Sequence, residues 1–218
     1  MATAVSFTAS SIGKKYVMAV SGIALFGFTM AHMAGNLQVF LGRERFNGYA
    51  ATLHAMPAVL WVFRGVMILA VVAHIVTSVQ LALRNRAARP QGYAKKQSLA
   101  TTYAARTMVV SGPILFFYIV YHLLHFTFNT LHPNYEVTDL YSNVVASFRQ
   151  VPISVSYIIA NACFGFHVFH GAYSLFQSLG VNHPRYNGAL RSLAMAIAVL
   201  VTTGFIAVPV GVLAGLTK

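Results

Sequence analysis

Apolar residues run along this chain in five long stretches separated by polar or aromatic connections. Each stretch is long enough for a helix to cross about 30 Å of hydrocarbon. The pattern predicts five spans, at approximately 16–41, 58–83, 107–131, 152–179 and 188–216. The fold class is therefore all-α and integral to a membrane, with 1–218 read as a single membrane domain. The first dozen residues, MATAVSFTASSI, have no strong period and read as surface; the apolar run after Lys14 and Lys15 is too long for the core of a secretory signal. The polar and aromatic segment 42–56 suits an interfacial turn or short helix, after which Pro57 fits the first turn of the second span. Pro133 is expected to stop the third span and Pro113 to kink its early turns. The connection to Val151, with Glu136, Asp139 and Arg149, reads as a loop. Pro152 opens the fourth span, Gly180 and Pro184 close it, and Pro209 predicts a bend in the fifth.

Composition removes the soluble alternatives. Of the 218 residues, 57% are hydrophobic and only 8% charged, and mean hydropathy is +0.66, outside the range of soluble globular domains. All three acids, Glu44, Glu136 and Asp139, fall outside the apolar runs. An ion-coupled transporter or a carboxylate-based proton pump generally needs an acid at depth, so both are disfavoured. The single cysteine, Cys163, leaves neither a disulfide framework nor an iron–sulfur or zinc cluster, and reads as a small buried apolar side chain.

Charge orients the spans. With the N-terminus inside, ten basic residues fall on the cytoplasmic side: Lys14, Lys15, six between Arg84 and Arg106, Arg185 and Arg191. Five fall outside: Arg43, Arg45, Arg64, Arg149 and Lys218. The bias predicts N-in, C-out, with Pro90 and Gly92 breaking the basic loop.

Histidines carry the candidate chemistry. His32, His74, His122 and His167 sit in four successive spans, where an ionisable side chain marks a site and imidazole is the usual axial ligand of a buried haem. Counted from the cytoplasmic ends at 1.5 Å per residue, His74 and His167 lie about 15–20 Å deep, and His32 and His122 about 25 Å. Two levels follow, an inner pair (His74, His167) and an outer pair (His32, His122), each suited to one bis-histidine haem. Ser21-Gly22 and Ser111-Gly112 precede His32 and His122 at the same distance, on the same helix face and about 16 Å nearer the cytoplasm, bordering the inner level. Ser78 follows His74 by four as Gly171 follows His167, and Ser174 shares the face of His167. These small residues leave room for a flat group or for close helix packing. His125 and His170, three residues after two of the four, stand as alternative ligands or as donors to a propionate or quinone oxygen. Arg64, Arg106, Lys14, Lys15 and Tyr16, at span ends, suit haem propionates or lipid phosphates. His54, His132 and His183 lie in connections and read as exposed or interfacial.

The segments AHMAGNLQVF, AHIVTSVQLAL, YHLLHF and FHVFHGAYSLFQSLG, in this order across five spans, resemble the cytochrome b membrane anchor of succinate:menaquinone oxidoreductases and fumarate reductases, in the subgroup with one five-helix subunit and two haems. The resemblance implies that His74 and His167 hold a haem b proximal to the cytoplasmic subunits and that His32 and His122 hold a distal one. It implies a flavoprotein subunit with FAD and an iron–sulfur subunit as partners on the cytoplasmic face, menaquinone as substrate, and a bacterial cytoplasmic membrane. Tyr173 stands where many relatives carry Trp. Succinate chemistry would reside in the partners, because this chain has no nucleotide loop and no cysteine cluster. A quinone would suit His125, Tyr121 and the outer loop, or Arg84, Arg86 and Ser21 on the inner side. A haem b subunit of a hydrogenase or formate dehydrogenase shares the histidine logic, and a histidine-using transporter or channel is a further alternative.

Overall fold

The computed structural model describes residues 10–88, 103–132 and 134–217. Arg89, Pro90, Gly92, Lys95 and Lys96 of the basic loop, most of the first dozen residues, Pro133 and Lys218 lie outside the described residues. Among the described residues seven α-helices form: α1 (Ser11–Leu37), α2 (Arg43–His54), α3 (Pro57–Ala87), α4 (Tyr103–Phe126), α5 (Leu140–Arg149), α6 (Val151–Ser178) and α7 (Pro184–Leu213). A 3-10 turn over Gln38–Leu41 extends α1, and no strand occurs among the described residues. Among the described residues five helices are long and apolar enough to cross a membrane: α1 with its 3-10 extension, α3, α4, α6 and α7.

Local chemistry sets the ends. α1 starts at Ser11, before the expected 16, because the Ser10 hydroxyl accepts the Gly13 N–H at 2.9 Å as an N-cap. Pro57 takes the first turn of α3. α4 ends at Phe126 rather than running to 131. There the Thr127 and Phe128 N–H groups both return to the Leu123 carbonyl (2.9 and 2.8 Å) and Asn129 takes a left-handed φ of 60°, so the stop is a C-cap and not Pro133. Gly180, at φ 82°, closes α6. Pro184 opens α7 instead of closing the preceding helix, with His183 as N-cap. Pro113 and Pro209 lie inside continuous helices.

The segment expected as a loop before Val151 contains α5. Asp139 caps it by accepting the Ser142 N–H at 3.3 Å, and Tyr141, Val145 and Phe148 form a buried stripe at helical spacing. That stripe packs with Val39, Phe46, Tyr157, Val208 and Val212 into one apolar core, at the end of the bundle where α2 and α5 lie. Toward the opposite end, Val168 and Phe169 of α6 meet Ala194 and Ala198 of α7 in a second core. α6 against α7 is a close seam: a Cβ on Gly165 would collide with Thr202. α7 also packs on α1, where Gly204 faces Met33 and Gly211 faces Phe40 with no room for a Cβ.

The lateral packing is uneven. α3 packs on α1 and α2, and α4 packs on α6, but α3·α6, α1·α4 and α3·α4 form no packed pair among the described residues. α3 and α6, and likewise α1 and α4, therefore meet at most sparsely across the bundle.

Candidate functional site

Those pairs are where histidine rings approach each other. His74 on α3 and His167 on α6 have ring centroids 6.2 Å apart, with 54° between planes. His32 on α1 and His122 on α4 have centroids 5.7 Å apart, with planes at 78°. In each case the imidazoles bridge helices whose backbones make at most sparse contact. α1 reaches both levels: its Ser21 hydroxyl lies 3.4 Å from His74 Nδ1, while His32, eleven residues on and about 16 Å along the axis, meets His122.

The surroundings of the rings decide which nitrogens are available. His74 Nδ1 lies 3.2 Å from the Met18 carbonyl, which holds the ring through that nitrogen. Gly22 sits against that ring; a Cβ there would be 3.5 Å from His74 Cε1. His167 Nδ1 is buried and has no protein partner. A polar atom stranded in a membrane interior is costly, and a ligand is one remedy. Two metal–imidazole bonds of about 2 Å end to end place ring centres about 6 Å apart. Both observed separations match that span, so the residues present fit a bis-histidine metal centre at two levels.

A family model described as the succinate dehydrogenase/fumarate reductase transmembrane subunit matches residues 82–207, more than half of the chain. The chain belongs to that family. It is thus a complex II membrane-anchor subunit, multi-pass, whose complex includes flavoprotein and iron–sulfur subunits. No curated protein and no solved structure gives a significant match.

In this complex II subunit the remaining candidates divide sharply. His125 is 1% exposed and has both ring nitrogens engaged: Nδ1 with the Tyr157 hydroxyl at 3.0 Å and Nε2 with Ser147 Oγ at 3.2 Å. His170 Nε2 lies 3.2 Å from Ser174 Oγ, so Ser174 serves His170. Ser78 donates to the Ile75 carbonyl of its own helix at 2.9 Å. Ser111 is buried, its hydroxyl 3.9 Å from Met108 Sδ, and Gly112 and Gly171 have open space where a Cβ would stand. The Ser-Gly parallel thus brings Ser21 and Gly22 to an inner histidine, while Ser111 turns to its own helix. Arg106 is exposed near the start of α4, Arg64 stacks on Trp61 at 4.9 Å, and Lys14 bonds Gln80. His54 is exposed, but His132 is half-buried and its ring stacks 5.7 Å from His125, with Nδ1 buried and unpartnered.

Sequence reasoning missed the residues that organise the α2/α5 end. Asp139 receives Arg43 and, at 2.8 Å, Asn47 Nδ2, tying α2 to α5. Burial alone would raise the Asp139 carboxyl, but hydrogen bonds from Ser142, Asn47 and Arg43 outweigh it and hold the group down to about 2. Tyr157, buried in an apolar span, joins His122 (3.3 Å) and His125 (3.0 Å) through one hydroxyl. A phenol in such a run needs a polar partner, and that was the available signal.

Proposed function

We propose that this chain is the two-haem cytochrome b anchor of a succinate:menaquinone oxidoreductase, with the inner haem b held by His74 and His167 and the outer by His32 and His122. The pairwise approach of four imidazoles, between helices that otherwise meet at most sparsely, is the observation that carries this reading. Bound there, haem b supplies one-electron carriers between the iron–sulfur subunit and menaquinone. The protein's part is to present imidazoles, exclude water and fix their orientation. Met18 and Ser21 restrain His74, Gly22 leaves room beside it, and Phe28 stacks on His32 with centroids 5.3 Å apart.

The basic bias supports an N-in, C-out arrangement in a bacterial cytoplasmic membrane. The partners then dock at the end bearing Lys14, Lys15, Arg84 and Arg86, and the α2/α5 end faces outward. Family membership supports complex II as the enzyme; in this reading the subunit contributes electron transfer, and succinate chemistry resides in the partners.

The deciding experiment is a reduced-minus-oxidised visible spectrum of the purified complex, with haem counted per chain. Two b-type haems, at least one reduced by succinate, are expected. One haem would break the two-level pairing, and none would remove the cytochrome reading.

A further inference from the structure

His122 and His125 lie three residues apart on α4, and both turn Nδ1 toward the same oxygen, the Tyr157 hydroxyl of α6, at 3.3 and 3.0 Å. A phenol has one hydrogen to give. It therefore cannot donate to both rings, and one ring must donate to it. His125 Nε2 contacts Ser147 Oγ of α5 at 3.2 Å, so both nitrogens of this ring are committed.

The polarity of the chain follows if His122 binds a metal through Nε2. That nitrogen is then unprotonated and Nδ1 carries the hydrogen. The His122 Nδ1–H donates to Tyr157, the Tyr157 O–H donates to His125 Nδ1, and the His125 Nε2–H donates to Ser147. Each bond has one donor and one acceptor, with no conflict at any atom. The opposite assignment, with His125 as the ligand through Nε2, would require that nitrogen to abandon Ser147.

We propose that Tyr157 is the positioning residue of the outer site: it fixes the tautomer and ring orientation of His122, and is itself held by His125 and Ser147. The proposal rests on the two-haem reading above. It extends that reading to three further residues, His125, Ser147 and Tyr157, on α4, α5 and α6. An imidazole donating its second N–H becomes a more basic ligand, which favours oxidised iron and lowers the potential. The inner site has a different arrangement, a backbone carbonyl on His74 and no protein partner on His167 Nδ1.

The test is redox titration and low-temperature EPR of the purified complex carrying Tyr157→Phe, which keeps the ring and removes only the hydroxyl. Both haems are expected to remain. The potential of one should move upward and its low-spin ferric signal should change, while the other keeps both properties. Ser147→Ala, remote from the ligand pair, should move the same haem in the same direction by less, and carries the test alone if Tyr157→Phe does not assemble. His125→Asn, which keeps an acceptor for the Tyr157 hydroxyl, should return the potential toward wild type relative to His125→Phe. Unchanged potentials and spectra in Tyr157→Phe and Ser147→Ala, with two haems present in wild type, would overturn this proposal alone. Loss of a haem in His125→Phe but not in His122→Phe would also overturn it, making His125 the ligand. A wild-type complex without haem would overturn the functional reading and this one with it.

Discussion

An imidazole can bind a metal only through a nitrogen that nothing else occupies, and at the α2/α5 end this separates two neighbours. His125 has Nδ1 on Tyr157 and Nε2 on Ser147, whereas His122 has only Nδ1 so engaged. His122→Ala should therefore cost the complex about half of its haem, and His125→Ala should retain nearly all of it, as measured by the pyridine haemochrome assay. At the inner level, His74→Ala or His167→Ala should likewise remove one haem and leave the other. The sequence showed the four histidines, because imidazoles in apolar runs are conspicuous and helical rise converts spacing into depth. It could not show the nitrogen partners. Ser147 lies on another helix, 22 residues from His125, and Tyr157 lies 35 residues from His122, so nothing local in the chain marks them. Ser174 illustrates the converse: it shares a face with His167 by angle, yet its hydroxyl meets His170.

Among the elements, the apolar spans were legible and α5 was not. The spans announce themselves by length and hydropathy; α5 has ten residues, half of them buried, and hides in a polar connection. Its signal was an Asp cap followed by apolar positions 141, 145 and 148, a pattern weaker than any span's. α5 is tied to α2 through Asp139. Because the folded carboxyl sits near 2, below its ordinary value of about 3.9, its contribution is fully present above pH 4 and is lost as the pH falls through 2. The thermal midpoint of Asp139→Asn should thus lie below wild type at pH 7, with the gap closing as both are measured toward pH 2. The α6–α7 seam offers a separate check. Gly165→Ala forces a methyl into Thr202 and should destabilise by about 1–3 kcal/mol, whereas Gly27→Ala, with nothing within 4 Å, should not destabilise, as followed by thermal unfolding in detergent.

Taken whole, the proposed function gives the molecule two haem levels and leaves the substrate chemistry to its partners. Succinate should consequently reduce haem in the assembled complex and fail to do so in the isolated anchor, where dithionite alone succeeds; difference spectra of the two preparations check this. The general architecture was readable from composition and span count, since a chain this apolar has few alternatives to a helical bundle. The uneven lateral packing was not, because a lipid-facing and a cofactor-facing apolar side chain look alike in sequence. That unevenness bears on what holds the subunit together. Among the described residues α3 makes its main contacts with α1 and α2. On the two-haem reading, a group gripped by His74 and His167 would join α3 to α6, so the filled slot would act as a staple across the bundle, and a subunit emptied of it would hold α3 by one flank.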